Sequence, residues 1–224
     1  MDERLPPVIA IDGPSASGKG TVAQRVAQIL GFHLLDSGAL YRAVALAALK
    51  AGIRGDDETA LARLAATSEI RLAGDNIFLN QELVTDAVRS EQVSEFASKI
   101  AVLPGVRRAL LVRQRALRQP PGLVADGRDM GSTVFPDAVV KIYLTADAGE
   151  RARRRYKQLI EKGMNANMTA LLQDIKARDE RDTARTLAPL QKGDDASVLD
   201  TTGLTIDAAV EQVLARYAAA KQVP

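Results

Sequence analysis

No cysteine occurs in the chain. That excludes disulfides and thiolate-held metals, and it suits a reducing compartment. Tryptophan is missing too, aromatics reach only 4%, and His33 is the single histidine. His33 lies inside the apolar run 32–35 and reads as a satisfied packing residue, so no catalytic role falls to it. Charge of neither sign dominates: the net value of +2 is too small to argue for a nucleic-acid partner. No apolar stretch approaches the length that spans a bilayer. Residues 1–7 are few and polar, unlike a secretory leader. A cytoplasmic enzyme with no nucleic-acid and no membrane partner is expected.

What is present is a chain of 224 residues, 46% hydrophobic and 26% charged. It can bury a full core in one domain with insertions or in two. Its organising stretch is VIAIDGPSASGKGT, residues 8–21. A short apolar run feeds a glycine-bounded loop, and the loop opens into residues 22–30, where Val22, Val26 and Ile29 recur at helical spacing. Strand, loop and helix are the context of a phosphate-binding loop with the lettering G-x-x-x-x-G-K. Gly13 and Gly18 allow positive φ and close approach to an anion. Loop N–H groups at the helix N-terminus converge on phosphate oxygens, and Lys19 adds a mobile full charge. The expected nucleotide contacts are Gly13, Ser15, Ala16, Ser17, Gly18, Lys19, Gly20 and Thr21.

Gly20 stands where Ser or Thr usually follows the lysine. This G-K-G-T variant is similar to that of nucleoside monophosphate kinases of the adenylate kinase type, and it leaves the role of the Thr21 hydroxyl open. A rival reading takes Gly18-x-Gly20-x-x-Ala23, with Asp36 following, as a dinucleotide fingerprint. That fingerprint should begin at Asp12 or Gly13, where the strand ends, and it leaves Lys19 without a purpose.

Farther along, residues 32–35 read as a second strand, Asp36-Ser37-Gly38 as a helix cap, and 41–51 as a helix stopped by Gly52. A helix from Asp56 to Ala66 precedes a hairpin, 70–73 and 77–79 around Gly74-Asp75-Asn76, with 82–84 as a possible edge strand. Ser90 caps a helix from 91 to about 103. Pro104 ends it, and 106–118 forms another. Strands are expected at 123–125, 138–144 and 198–199. Asp147 and Glu150 resemble a capping box for a helix to Lys162. Helices at 171–181 and 206–220 complete the set. Apolar strands alternating with helices predict an α/β fold with a five-stranded parallel sheet, ligands at its carboxyl edge, and a small antiparallel insertion.

Three charged segments remain. Asp36 to Arg42 read alone is a capped helix with Arg42 in solvent. Asp126-Gly127-Arg128-Asp129 suits a ligand with one anionic end and one hydrogen-bond donor, or a surface turn. Arg151-Ala152-Arg153-Arg154-Arg155 is either a solvated helix face eased by Glu150 pairing with Arg154 or a density of charge that awaits a polyphosphate.

Taken in order, Gly13-Pro14-Ser15 … Gly18-Lys19-Gly20-Thr21, Asp36-Ser37-Gly38 … Tyr41-Arg42, Asp126-Gly127-Arg128-Asp129-Met130-Gly131, Val134-Phe135-Pro136-Asp137 and residues 178–185 resemble bacterial cytidylate kinases along almost the whole chain. Ser132 departs from the Thr expected there. The resemblance implies a P-loop nucleoside-monophosphate-kinase-like three-layer fold: core segments 1–40, 106–147 and 173–224, a monophosphate-binding insertion at 41–105, and a helical lid at 148–172. It also implies that Ser37, Tyr41 and Arg42 line the monophosphate pocket, with Arg42 and Arg128 on the phosphate. Asp129, helped by Ser98 and Arg107, would meet the cytosine amino group. Arg178 and Asp182 would hold the ribose, Arg185 would reach the phosphates, and Arg154 in the lid would serve ATP.

The implied reaction belongs to pyrimidine nucleotide metabolism: ATP, with Mg²⁺, gives its γ-phosphoryl group to CMP or dCMP. A phosphate oxygen is already nucleophilic at neutral pH, so catalysis reduces to positioning and charge stabilisation by Lys19, Arg128 and Arg185. No side chain is assigned as a metal ligand. A kinase of another acceptor, and a nucleotide-gated RNA-binding protein using its arginines as a phosphate track, stand as alternatives.

Overall fold

The structure, a computed structural model, describes residues 5–74, 76–161, 163–185 and 187–222. In chain order the elements are β1 (Val8–Asp12), α1 (Lys19–Leu30), β2 (His33–Asp36), α2 (Ser37–Lys50) and α3 (Glu58–Thr67). Then come β3 (Ile70–Ala73), β4 (Asn76–Leu79), β5 (Glu82–Leu83), α4 (Glu91–Ile100) and α5 (Pro104–Ala116). The remainder is β6 (Leu123–Gly127), β7 (Val140–Thr145), α6 (Ala148–Glu161), α7 (Met168–Thr183), β8 (Ser197–Asp200) and α8 (Ile206–Lys221).

One sheet has five strands in the order β2-β6-β1-β7-β8, and β1 pairs in parallel with both β6 and β7. Every residue of β1 and β6 is buried, which is why both open as apolar runs, VIAI and LVA, before an aspartate at the carboxyl end: a parallel strand covered on both faces has no polar side. The register sets Asp12 beside Gly127 and Tyr143, so the ends of these strands, and the loops that leave them, share one edge. Among the described residues no helix is long and apolar enough to cross a membrane.

The chain forms two compact units, one of residues up to His33 with those from Pro120 onward, the other Leu34–Gln119. In the second, α2 packs on α4 and α3 on α5, around buried Leu61, Val88, Ile100, Val106 and Leu110. Its hairpin pairs β3 with β4, Ile70 opposite Leu79, and β5 adds a third strand. Asp75 of the anticipated turn lies outside the described residues, as do Lys162, the anticipated helix end, and residues 1–4 of the N-terminal segment.

Five local expectations need correction. His33 is exposed, and its Nε2 is 3.0 Å from the Pro120 carbonyl; it is satisfied but does not pack. α2 starts at Ser37, because the Asp36 carboxylate accepts from Ala39 N at 2.8 Å and caps it. α4 ends at Ile100, and α7 starts three residues early, capped by Asn167. Only half of the capping box forms: Asp147 Oδ1 accepts from Gly149 and Glu150 N, whereas the Glu150 side chain bonds Arg153 and Arg154. Two guanidiniums within reach outbid one backbone N–H.

Candidate active site

Between β1 and α1 the loop of residues 13–18 makes a tight wrap. A Cβ on Gly13 would lie 2.0 Å from the Leu144 carbonyl oxygen, so no side chain fits. Ala16 (φ 58) and Gly18 (φ 93) are left-handed, the alternation that turns successive N–H groups into a concave anion nest. Gly18 also caps α1 without any side-chain cap, at the helix end whose N–H groups suit an anion. Lys19 Nζ donates to Pro14 O at 3.0 Å and lies 3.9 Å from the Asp126 carboxylate at the end of β6.

That carboxylate explains the unusual lettering. A Cβ at position 20 would sit 3.1 Å from Asp126 Oδ2, so Gly20 leaves room for an acid where other loops carry a hydroxyl. Thr21 is exposed on the first turn of α1. The dinucleotide reading is overturned: Gly18 caps the helix instead of ending the strand, and Asp36 is engaged as a cap and as the partner of Arg42.

Beside the loop, Arg128 donates through Nη2 to Ser15 Oγ at 3.0 Å and through Nε to Asp182 Oδ2 at 2.8 Å. The other oxygen of Asp182 accepts from Arg185. Asp182 is buried, which raises the cost of its charge, but Arg128 and Arg185 outweigh that and hold its pKa below the ordinary aspartate value. Arg178 on the same helix adds to the lowering. Lys19, Asp126, Arg128, Asp182, Arg185 and the loop are thus gathered in one unit. Asp129 follows, 7% exposed, ahead of a wide five-residue turn, Met130–Val134. Such turns recur at functional sites.

The arginines of α6 are not the bare positive cluster that their spacing suggested. Arg151, 5% exposed, donates to Ser15 O at 3.1 Å and grips both carboxylate oxygens of Asp179 on α7. Arg154 bonds Glu150, Ser17 O and Thr201. Their repulsion is offset by acids of the protein, and both arginines brace the carbonyl side of the nucleotide loop. Arg154 therefore meets the loop's backbone, in addition to whatever it offers a nucleotide. Sequence reading missed Arg151, Asp126, Thr201 and Asp12. Asp126 could have been found, since it ends a buried strand beside Lys19's loop. Thr201, reached only through the fold, carried no local signal.

In the other unit, Asp36 Oδ2 accepts from Arg42 Nη2 at 3.0 Å, and a Cβ on Gly38 would lie 2.9 Å from Arg42 Nη1. The absent side chain of Gly38 lets the guanidinium lie across the first turn of α2. Ser37 is buried beside it, and Tyr41 is half-buried one turn on. Ser98, 9% exposed, sits on α4. Arg107 on α5 donates to Ala101 O at 3.3 Å.

The chain is similar to known proteins along its length. The cytidylate kinase of Bordetella pertussis is 58% identical over 208 residues, 93% of each chain. The cytidylate kinase of Nitrosomonas europaea is 54% identical over 222 residues, 99% of this chain and 100% of that one. Among solved structures, TT1252 from Thermus thermophilus is similar in fold, with a TM-score of 0.50 at 20% identity over 99% of this chain and 100% of that one. The family model described as cytidylate kinase matches residues 9–219, and the chain belongs to the cytidylate kinase family.

Proposed function

We propose that the protein transfers the γ-phosphoryl group of ATP to CMP and dCMP, giving ADP and the pyrimidine diphosphate, in the cytoplasm and as a monomer. The observation that carries this reading is the cationic set Lys19, Arg128 and Arg185 gathered at a nucleotide loop in a chain of this family. The loop holds the ATP phosphates by its N–H groups, and Lys19 follows the charge that develops on the transferred group. Arg42 and Arg128 grip the CMP phosphate, which attacks in line without a general base. Ser37 and Tyr41 line that end. Asp129 accepts from the cytosine amino group, with Ser98 and Arg107 beside the base. Arg178 and Asp182 hold the ribose: a carboxylate has about four acceptor sites, so Asp182 keeps capacity beyond its two arginines. Residues 148–172 act as the lid, excluding the water that would otherwise compete as acceptor.

Mg²⁺ fits this site. No group of three acidic or imidazole ligands exists among the described residues, but nucleotide-borne Mg²⁺ needs only one or two carboxylates besides phosphates and waters. Asp126, buried next to Lys19, and the Thr21 hydroxyl are the groups that would hold it. Bound there, the ion neutralises charge on the phosphate oxygens.

The test is phosphoryl transfer from Mg·ATP to CMP, dCMP, UMP, AMP, GMP and shikimate. Selective conversion of CMP and dCMP is expected; no transfer to any of them, together with tight, salt-sensitive RNA binding, would overturn the proposal. Within the site, Asp129→Ala should raise the KM for CMP by about tenfold or more while that for ATP moves little, because a lost base contact acts on one substrate only. Equal losses for both substrates would remove Asp129 from the base pocket.

A further inference from the structure

The last side chain of β1, Asp12, is buried at the threshold of the nucleotide loop, yet its hydrogen bonds go to the other substrate's side. Oδ1 accepts from Met130 N and Oδ2 from Gly131 N, both at 2.8 Å. These two N–H groups come immediately after Arg128 and Asp129. They also open the wide turn, in which Thr133 and Val134 donate to the Asp129 carbonyl and Phe135 to that of Met130. Met130 and Gly131 N therefore precede the turn's own ladder, and both residues are buried. Without Asp12 they would lose these acceptors away from water. The seat is tight as well: a Cβ on Gly131 would lie 3.2 Å from the Lys141 stem.

We propose that Asp12 is a positioning residue for the acceptor nucleotide: by clamping Met130 and Gly131, its carboxylate sets the orientation in which Arg128 and Asp129 meet CMP. This rests on the reading of Arg128 and Asp129 as CMP contacts. Both carboxylate oxygens are needed. A protonated acid turns one of them into O–H, and an amide puts N–H₂ against a backbone donor.

The charge on that clamp is costly. Burial pushes the Asp12 pKa up to about 6, against the lowering by the Gly131 and Met130 N–H groups, with the nearby Asp129 and Asp126 carboxylates raising it further. On the flanking strand Lys141, paired with Asp195, and Tyr143 line the same small cavity as Asp12. Lys19 is engaged with Pro14 and Asp126, and Arg128 with Asp182.

The experiment measures kcat and KM for CMP and for ATP in the native enzyme and in Asp12→Asn. At pH 8 the variant should lose about tenfold in kcat/KM for CMP, mainly through KM, with the ATP value changed less than about twofold, since a small misplacement of binding groups is costly only to the substrate they hold. Equal losses for CMP and ATP would overturn the proposal. Native-state hydrogen exchange serves if the variant folds poorly: the Met130 and Gly131 amides should be strongly protected, and exchange as fast as exposed loop amides would overturn it equally. A CMP defect in Asp129→Ala beside an unimpaired Asp12→Asn sinks this inference alone; an unimpaired Asp129→Ala sinks the CMP-site reading beneath it.

Discussion

Lys19→Ala is expected to fold normally and to lose on the order of 10²-fold or more in kcat, by analogy with removing one donor from a charge-stabilising site. The structure explains why the fold survives. Lys19 donates to Pro14 O and approaches Asp126 at 3.9 Å, while the loop's shape is fixed by its backbone, by Gly13 against Leu144 and by the arginines of α6. The loss should be in kcat more than in KM, because the ammonium is worth most where charge gathers in the transition state. Circular dichroism and a melting curve check the first half and steady-state kinetics the second. An unchanged kcat would remove Lys19 from the chemistry.

Asp182→Ala should be the most damaging change to stability. The carboxylate is 1% exposed between Arg128 and Arg185, themselves 17% and 7% exposed. Deleting one member of such a buried set leaves uncompensated charge and costs about 3 kcal/mol. For a chain of this size that is a fall in Tm of roughly 6–12 °C. Because the folded pKa is lowered, the contribution is present above the ordinary aspartate pKa and is lost as the pH falls through the folded value. The gap in Tm between native and variant proteins should therefore be full at pH 7 and close in acid. An equal Tm at pH 7 would mean that the two arginines are held by other groups. Activity should fall too, since Arg128 reaches Ser15 of the loop from the same pair.

The corrections to the sequence reading share one physical cause. A phosphate loop is legible because its parts are adjacent along the chain: apolar strand, glycines at fixed spacing, lysine, helix. The same locality made β1, β6, β7 and the hairpin readable, since their periodicity and turn residues are contained within a few positions. The run at 151–155 was only partly legible: Glu150 pairs with Arg154 as the spacing suggests. The charge of Arg151 is offset by Asp179, distant in sequence, and both arginines also bond the loop carbonyls of Ser15 and Ser17.

Gly20 shows the division within a single residue. Its letter marked a departure from the usual loop and gave no reason, which came only when β6 placed Asp126 where a side chain would stand. Sequence by itself determined the alternation of strands and helices, the loop, and the motifs that place the chain in its family, all products of short-range chemistry. Tertiary structure alone decided which acid meets which arginine, that Asp182 joins Arg128 to Arg185, and that Asp12 holds the turn after Asp129. Apart from the i,i+3 contact of Asp182 with Arg185, those pairings span more than fifty residues, and the pairing of charges and donors over such distances is fixed by packing and burial, which no local pattern encodes.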